Sequence, residues 1–129
     1  MINYGFVKEL EMSFDEAVAA VTEALKKEGF GVLTTIDMGA KFKEKLNVDF
    51  GKYVILGACS PANALKAVTA EENIGLLLPC NVIVYDKGGR TAVGIVRPAV
   101  AMAMVDNPEL KPLAQEVESK LKKVFDSLS

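Results

Sequence analysis

The chain has 129 residues, of which half are hydrophobic and a quarter are charged, with a formal net charge of −2 at neutral pH. That length predicts a single domain over residues 1–129, and the acidic balance argues against a nucleic-acid partner, because phosphate backbones select basic surfaces. The sequence contains no histidine. This excludes a Ser-His-Asp triad, a Cys-His pair and a histidine-ligated metal.

The cellular compartment is indicated by segments that the sequence lacks. No apolar run reaches the roughly 18 residues that cross a bilayer, so we expect no membrane partner. The first residues also lack the basic region and the long apolar segment of a signal peptide. Two cysteines without an export signal are typical of a reducing compartment with free thiols. We therefore expect a cytoplasmic protein.

The N-terminal part of the chain predicts a strand followed by a helix. Residues 2–10 alternate loosely between apolar and polar, which indicates a half-buried strand. Ser13 and Glu16 have the spacing of a capping box, which marks the start of a helix. Apolar residues then recur at helical spacing up to the stop signal at Gly29, so we expect this helix over about 14–28.

The middle of the chain repeats the alternation of strands and helices. Residues 31–36 are rich in β-branched side chains and predict a second strand. Asp37 is suited to cap a short helix, after which residues 53–59 form an apolar strand. Ser60 and Pro61 follow at once as the cap and first residue of another short helix, because proline at that position needs no amide hydrogen.

The C-terminal part predicts a hairpin and a long helix. Strands at 81–85 and 91–96 are joined by a turn whose Gly88 and Gly89 supply the positive φ angles of a hairpin. A short apolar segment of undetermined type follows Pro98. The last helix, expected over about 111–127, presents one apolar face.

The predicted sheet has one apolar face that the predicted helices do not cover. The strands at 53–58 and 91–96 are apolar on both faces, and such strands are normally buried on both sides. Two long amphipathic helices suffice to cover only one face of five strands. The other face would exceed the exposed apolar area that a monomer tolerates. We therefore expect a homodimer through the open sheet face, or alternatively a closed ligand cavity.

Three segments carry a resemblance to a known family: GFGVLT at residues 29–34, LGACSP at 56–61 and IGLLLPCNV at 74–82. They resemble blocks of the domain-of-unknown-function 302 family. The resemblance implies a two-layer fold similar to that of the TATA-binding protein, with two helices on one face of a mainly antiparallel sheet. It also implies dimerisation, and it carries no catalytic residues because the family has no established activity. It matches at Cys59, at the Pro-Cys-Asn motif around Cys80, and at Gly57, interpreted as a turn.

Together, the pattern and the resemblance predict an α+β protein. The expected architecture is a two-layer sandwich with a mainly antiparallel five-stranded sheet. Two long helices would cover one face, and the short helices would be insertions between strands.

The two cysteines are the only lead to chemistry. Cys59 precedes a helix N-terminus, whose dipole is expected to lower the pKa of its thiol. If the strands that carry Cys59 and Cys80 are antiparallel neighbours, the thiols share one sheet edge, whereas a parallel crossover separates them. Both thiols can instead be buried structural groups, since free cysteine packs as a small hydrophobe. The candidate ligand-binding residues are Cys59, Ser60, Cys80, Asn81 and Arg97.

Three functions remain open. The first is a small homodimeric module that binds a small ligand or a metal ion near Cys59 and Cys80. Two thiolates do not complete a zinc site, so the metal would need ligands from a second chain or be a soft ion such as Cu(I). The second is a cysteine-dependent redox or sulfur-handling enzyme, activated by a helix terminus, Arg97 or a lysine. The third is a structural interaction domain. The sequence leaves any cofactor unknown.

Overall fold

The computed structural model describes residues 2–129 and contains five strands, five α-helices and two short 3₁₀ helices in that range. The strands are β1 Gly5–Leu10, β2 Gly31–Asp37, β3 Tyr53–Cys59, β4 Cys80–Lys87 and β5 Arg90–Val96. The α-helices are α1 Phe14–Lys27, α2 Met38–Leu46, α3 Pro61–Ala70, α4 Pro98–Ala101 and α5 Leu110–Ser127. The 3₁₀ helices are Glu72–Leu77 and Met102–Met104. All nine predicted elements are present, with ends shifted by up to three residues.

All five strands form one antiparallel sheet in the spatial order β1-β5-β4-β3-β2. The strands β3 and β4 therefore lie side by side near the centre, with Ala58 directly opposite Cys80. The predicted α+β class and the mainly antiparallel sheet are both confirmed. The parallel crossover that would have separated the two cysteines does not occur.

The capping box at the start of α1 forms as predicted. The Glu16 amide donates to the Ser13 hydroxyl at 3.2 Å, and the Ser13 amide donates to the Glu16 carboxylate at 3.0 Å. These two bonds satisfy amide groups that would otherwise lack partners at the helix start. Gly29 follows the helix with a φ of 83°, which explains the glycine after the last turn.

One face of the sheet is covered by α1 and α5, which pack on it and on each other. Alternate residues of the strands point into this core, and both helices contribute an apolar stripe. The buried set is Leu10, Ala17, Val21, Leu25, Phe30, Val54, Leu56, Ala58, Val82, Val84, Val93, Ile95, Val117, Leu121, Val124 and Leu128. The prediction of two long helices on one face is confirmed.

The opposite face of the sheet is only partly covered. Aromatic rings from α2 and the segment after it form a chain across one end, with centroids 5.0 Å apart for Phe42 and Phe50 and 6.3 Å for Phe50 and Tyr53. Tyr53 in turn stacks on Tyr85 at 5.4 Å. Elsewhere this face exposes Val7 and other apolar side chains. We call it the open face.

Gly57 lies inside β3 and is not the turn that the sequence suggested. A side chain there would collide with Thr34 of β2 and with the ring of Pro79. Glycine is therefore required by close packing within the sheet.

Of the helices in residues 2–129, none has both the length and the hydropathy that a membrane-crossing segment needs.

Candidate functional site

The two cysteines meet at one edge of the sheet. Cys59 is the last residue of β3 and Cys80 the first residue of β4, and Cys80 pairs with the residue that precedes Cys59. From the usual spacings within and between strands, this register places their Cα atoms about 6 Å apart. Both thiols are free. The antiparallel arrangement thus places the two cysteines at one edge of the sheet. Because Cys80 pairs with Ala58, its side chain shares the helix-covered face with Ala58, whereas the side chain of the adjacent Cys59 points to the other face.

A small cavity of about 40 Å³ lies between this edge of the sheet, α3 and α5. Its wall is mostly apolar, and Cys59, Ser60 and Cys80 contribute to it. The remaining lining residues are Phe30, Ala58, Asn63, Ala64, Ala67, Leu78, Pro79, Pro98, Met102, Leu113, Ala114 and Val117. The Leu78–Pro79 peptide bond in this wall is cis.

Asn63, on α3, is the polar side chain that sequence analysis missed. It is only 8% exposed, and its Nδ2 atom has no hydrogen-bond partner among residues 2–129. A buried donor without a partner destabilises a fold by about 1–3 kcal/mol. Asn63 precedes the apolar residue Ala67 by four positions and therefore shares its helix face. This spacing is the sequence signal that could have placed Asn63 in the interior.

The N-terminus of α3 lies at the wall of the cavity. The Ser60 side chain makes no capping hydrogen bond, and Pro61 at the first helical position has no amide hydrogen. The Ala64 amide donates to the Ser60 carbonyl at 2.9 Å, which begins the helical pattern. Amides before Ala64 have no earlier carbonyl within the helix, so they give this end a partial positive charge.

Both thiols are protonated at neutral pH. Burial raises the pKa of the Cys80 thiol to about 11, with a smaller contribution from the neighbouring Cys59. Burial also raises the pKa of Cys59. The expectation that the pKa of Cys59 is lowered was therefore wrong, because desolvation by burial disfavours the thiolate.

Arg97 occupies a structural position beside the cavity and is absent from its lining among residues 2–129. Its Nε and one terminal nitrogen donate to Oε2 of Glu118 at 3.2 and 3.1 Å. The other oxygen of Glu118 accepts from the Ala99 amide at 3.1 Å. This network ties the start of α4 to α5.

A surface groove of about 250 Å³ adjoins the cavity. Asn81 lines this groove and, among the described residues, is absent from the wall of the cavity. Cys80 and Met102 line both spaces. Cys80 and Met102 therefore lie between the groove and the cavity, and Asn81 lies on the groove side.

Within residues 2–129, no cluster of three or more His, Cys, Asp or Glu side chains is placed to hold a metal ion. The pair predicted as metal ligands, Cys59 and Cys80, would therefore need a further ligand of another type or from another chain.

The fold and the site define a class: a two-layer α+β protein with a thiol-lined cavity at the edge of its sheet. The chain belongs to the family described as "Domain of unknown function DUF302", whose model matches residues 6–128. A solved structure, the uncharacterized conserved protein DUF302 from Bacillus stearothermophilus, is similar, with a TM-score of 0.92 and 29% identity. The match covers 99% of this chain and 100% of that one. No curated protein matches this chain.

Proposed function

We propose that this protein binds a ligand of one or a few atoms in the cavity near Cys59 and Cys80. The observation that carries the proposal is the unpartnered Nδ2 atom of Asn63, buried in the wall of that cavity. A ligand that accepts a hydrogen bond from Nδ2 would satisfy this donor and offset its desolvation. A ligand that turns a neighbouring protein group into an acceptor would do the same. Such a group in a concave, otherwise apolar site is typical of ligand recognition.

The volume of the cavity limits the size of the ligand. Its 40 Å³ leaves room for only a few atoms. Pockets for organic ligands commonly span about 300–1,000 Å³. A nucleotide, a sugar or an amino acid is therefore excluded from the cavity itself, and single ions or small inorganic species remain.

The protonation of the thiols favours this binding function over a cysteine-dependent enzyme. A nucleophilic cysteine needs a lowered pKa, because the thiolate is the attacking species. Here burial raises the pKa of both thiols. A reducing compartment such as the cytoplasm, which we infer for this protein, would keep both thiols free for a ligand.

The proposal is tested by titrating the ¹⁵N-labelled, reduced protein with three probes: silver(I), iodide and hydrosulfide. We expect at least one probe to shift the side-chain amide signals of Asn63 saturably, with one probe per chain. The matched control is Asn73→Ala, since Asn73 is exposed on the first 3₁₀ helix and lies outside the described lining of the cavity, so its loss should leave the titration unchanged. If none of the three probes moves the Asn63 signals, the proposal is overturned.

A second candidate function is homodimerisation through the open face. A groove of about 200 Å³ runs along this face and is lined mainly by apolar residues, among them Val7, Ile83 and Val96. Further exposed apolar side chains are Tyr4, which precedes β1, and Leu33 and Ile36, which lie on the edge strand β2. A second copy of the chain would remove this surface from water. Sedimentation equilibrium at micromolar concentration should give twice the chain mass, and a stable monomer would contradict the proposal.

A further inference from the structure

The unpartnered Nδ2 atom of Asn63 belongs to the first turn of α3. Ser60 is the residue before this helix, Pro61 is its first residue and Asn63 its third. Ser60, Asn63 and Ala64 all line the cavity. The buried donor and the N-terminal end of the helix therefore border the same space.

We propose that the ligand of this cavity is a weakly hydrated monovalent anion of one or a few atoms, which accepts a hydrogen bond from Nδ2 of Asn63 beside the N-terminus of α3. This inference rests on the proposed function and names the class of its ligand. Two independent observations favour negative charge there. Nδ2 is a donor without an acceptor among residues 2–129, and no side chain makes a capping bond to the start of α3. The N-terminus of a helix carries a partial positive charge and stabilises anions.

The lining of the cavity contains no charge that would repel an anion. Among the described lining residues there is no Asp or Glu. The Cys80 thiol is neutral at neutral pH, because burial raises its pKa to about 11, and a thiol is itself a weak donor. A cation would therefore meet no negatively charged side chain in this cavity, whereas an anion can accept a hydrogen bond from Asn63.

The same lining limits which anions can bind. No Lys or Arg is present among the described lining residues, so one buried donor and a helix end must offset the lost hydration of the ion. The Born cost of desolvation is smallest for large monovalent ions and rises with the square of the charge. Phosphate and sulfate are therefore excluded by charge and, because the cavity measures only about 40 Å³, by size. Iodide, bromide and hydrosulfide have the required properties.

The test follows reduced, ¹⁵N-labelled wild-type protein during separate additions of sodium iodide, bromide and chloride. Sodium fluoride keeps the ionic strength constant, because the small fluoride ion has the highest desolvation cost of the halides. We expect the side-chain amide signals of Asn63 to shift along a single-site binding curve, with affinity decreasing from iodide through bromide to chloride. The side-chain amide of Asn73, exposed on the first 3₁₀ helix, is observed in the same spectra and should not shift.

Two variants then test the donor itself. Asn63→Leu removes Nδ2 but keeps a side chain of similar shape, and Asn73→Leu is its matched control. The backbone amide signals of residues 62–64 report binding in both variants. We expect the affinity for iodide to fall at least tenfold in Asn63→Leu and to stay unchanged in Asn73→Leu. The wild-type titration needs no variant to fold.

Each other outcome overturns the inference in a recognisable way. Shifts of the Asn63 signals with silver(I), but with no anion, would reject the anion and leave the proposed function standing. Equal iodide affinity of Asn63→Leu and wild type would show that Asn63 is not the donor. Similar, unsaturated shifts at Asn63 and Asn73 would reveal only non-specific action of the salts. If silver(I) and hydrosulfide also leave the Asn63 signals in place, the proposed function fails as well.

Discussion

The ring of Pro79 lies against Gly57 of β3 so closely that a Cβ atom at position 57 would be 2.7 Å from Cγ of the proline. The same Cβ atom would collide with the hydroxyl of Thr34 on the neighbouring strand. Pro79 immediately precedes Cys80, so this contact helps to fix the position of the thiol. The glycine therefore links the packing of the sheet to the geometry of the cavity.

Replacing Gly57 with alanine should destabilise the protein because the added methyl group overpacks this contact. We expect the free energy of unfolding to fall by about 1–3 kcal/mol, measured by urea denaturation. Gly75→Ala is the matched control, since a Cβ atom there meets nothing within 4 Å. Equal stability of the Gly57→Ala variant and wild type would contradict the close packing.

The buried thiol of Cys80 should make stability depend on pH in the alkaline range. Its pKa is raised from 9.0 to about 11 in the folded state, so the unfolded chain loses this proton first as pH rises. The stabilisation is therefore fully present below about pH 9 and is lost as pH rises to about 11, amounting to about 2–3 kcal/mol. Urea denaturation between pH 8 and about 11 measures this change.

Other groups also titrate in that range, so the comparison is with Cys80→Ala. The free energy of unfolding of the variant should fall less steeply with pH than that of wild type, and the difference isolates the thiol. Parallel pH profiles would show that Cys80 is not desolvated in the folded protein.

The carboxylate of Glu118 should stabilise the fold more than an exposed ion pair does. Its side chain is only 15% exposed, and it accepts hydrogen bonds from Arg97 and from the Ala99 amide. Glu118→Gln should lower the free energy of unfolding by about 1–3 kcal/mol, because hydrogen bonds to charged groups contribute that much. Thermal or urea denaturation gives the value.

The control is Glu9→Gln, which removes the partner of Arg90 at the surface. Exposed pairs contribute about 0–1 kcal/mol, so this change should be small.

The sequence-based prediction that Arg97 binds the ligand is tested in the same experiment series. If Arg97→Gln abolishes iodide binding while the protein remains folded, Arg97 belongs to the site after all.

The architecture was predictable because its signals are local. The capping box at Ser13, the proline after Ser60 and the glycines at 88 and 89 each specify a boundary with nearby residues, and each boundary occurs there. The resemblance supplied what local patterns lack, namely the antiparallel orientation of the strands. That orientation decided whether the two cysteines meet.

The cavity was predictable only in part because its other components are distant in sequence. Met102 reaches it from a segment after β5 whose type the sequence left undetermined, and Asn63 lies within the short helix that follows Ser60. The pKa of Cys59 was predicted in the wrong direction, since the burial of a thiol cannot be read from local charge. The glycine at 57 resembled a turn signal, but the crowding that requires it comes from Thr34 and Pro79.

A charge placed on the open face should prevent self-association if that face is the dimer interface. Val7 is exposed on β1 and lines the apolar groove of that face. Val7→Glu should give a monomer in sedimentation equilibrium, because burying an unpaired carboxylate is strongly unfavourable. Leu65→Glu is the control, since Leu65 is 70% exposed on α3, which contacts the first 3₁₀ helix and α5, and should leave the mass unchanged. A dimeric Val7→Glu variant would move the interface elsewhere.

Removing the unpartnered donor should separate stability from ligand binding. Asn63→Leu replaces the carboxamide with an apolar side chain of similar shape, so the buried Nδ2 atom no longer lacks a partner. We expect the free energy of unfolding of the ligand-free protein to rise by about 1 kcal/mol, because an unsatisfied buried group is removed. Affinity for iodide should fall at least tenfold, since the bound anion loses its donor. Higher stability together with weaker iodide binding would show that Asn63 serves the ligand and not the fold. Loss of stability with unchanged iodide affinity would make Asn63 a purely structural residue.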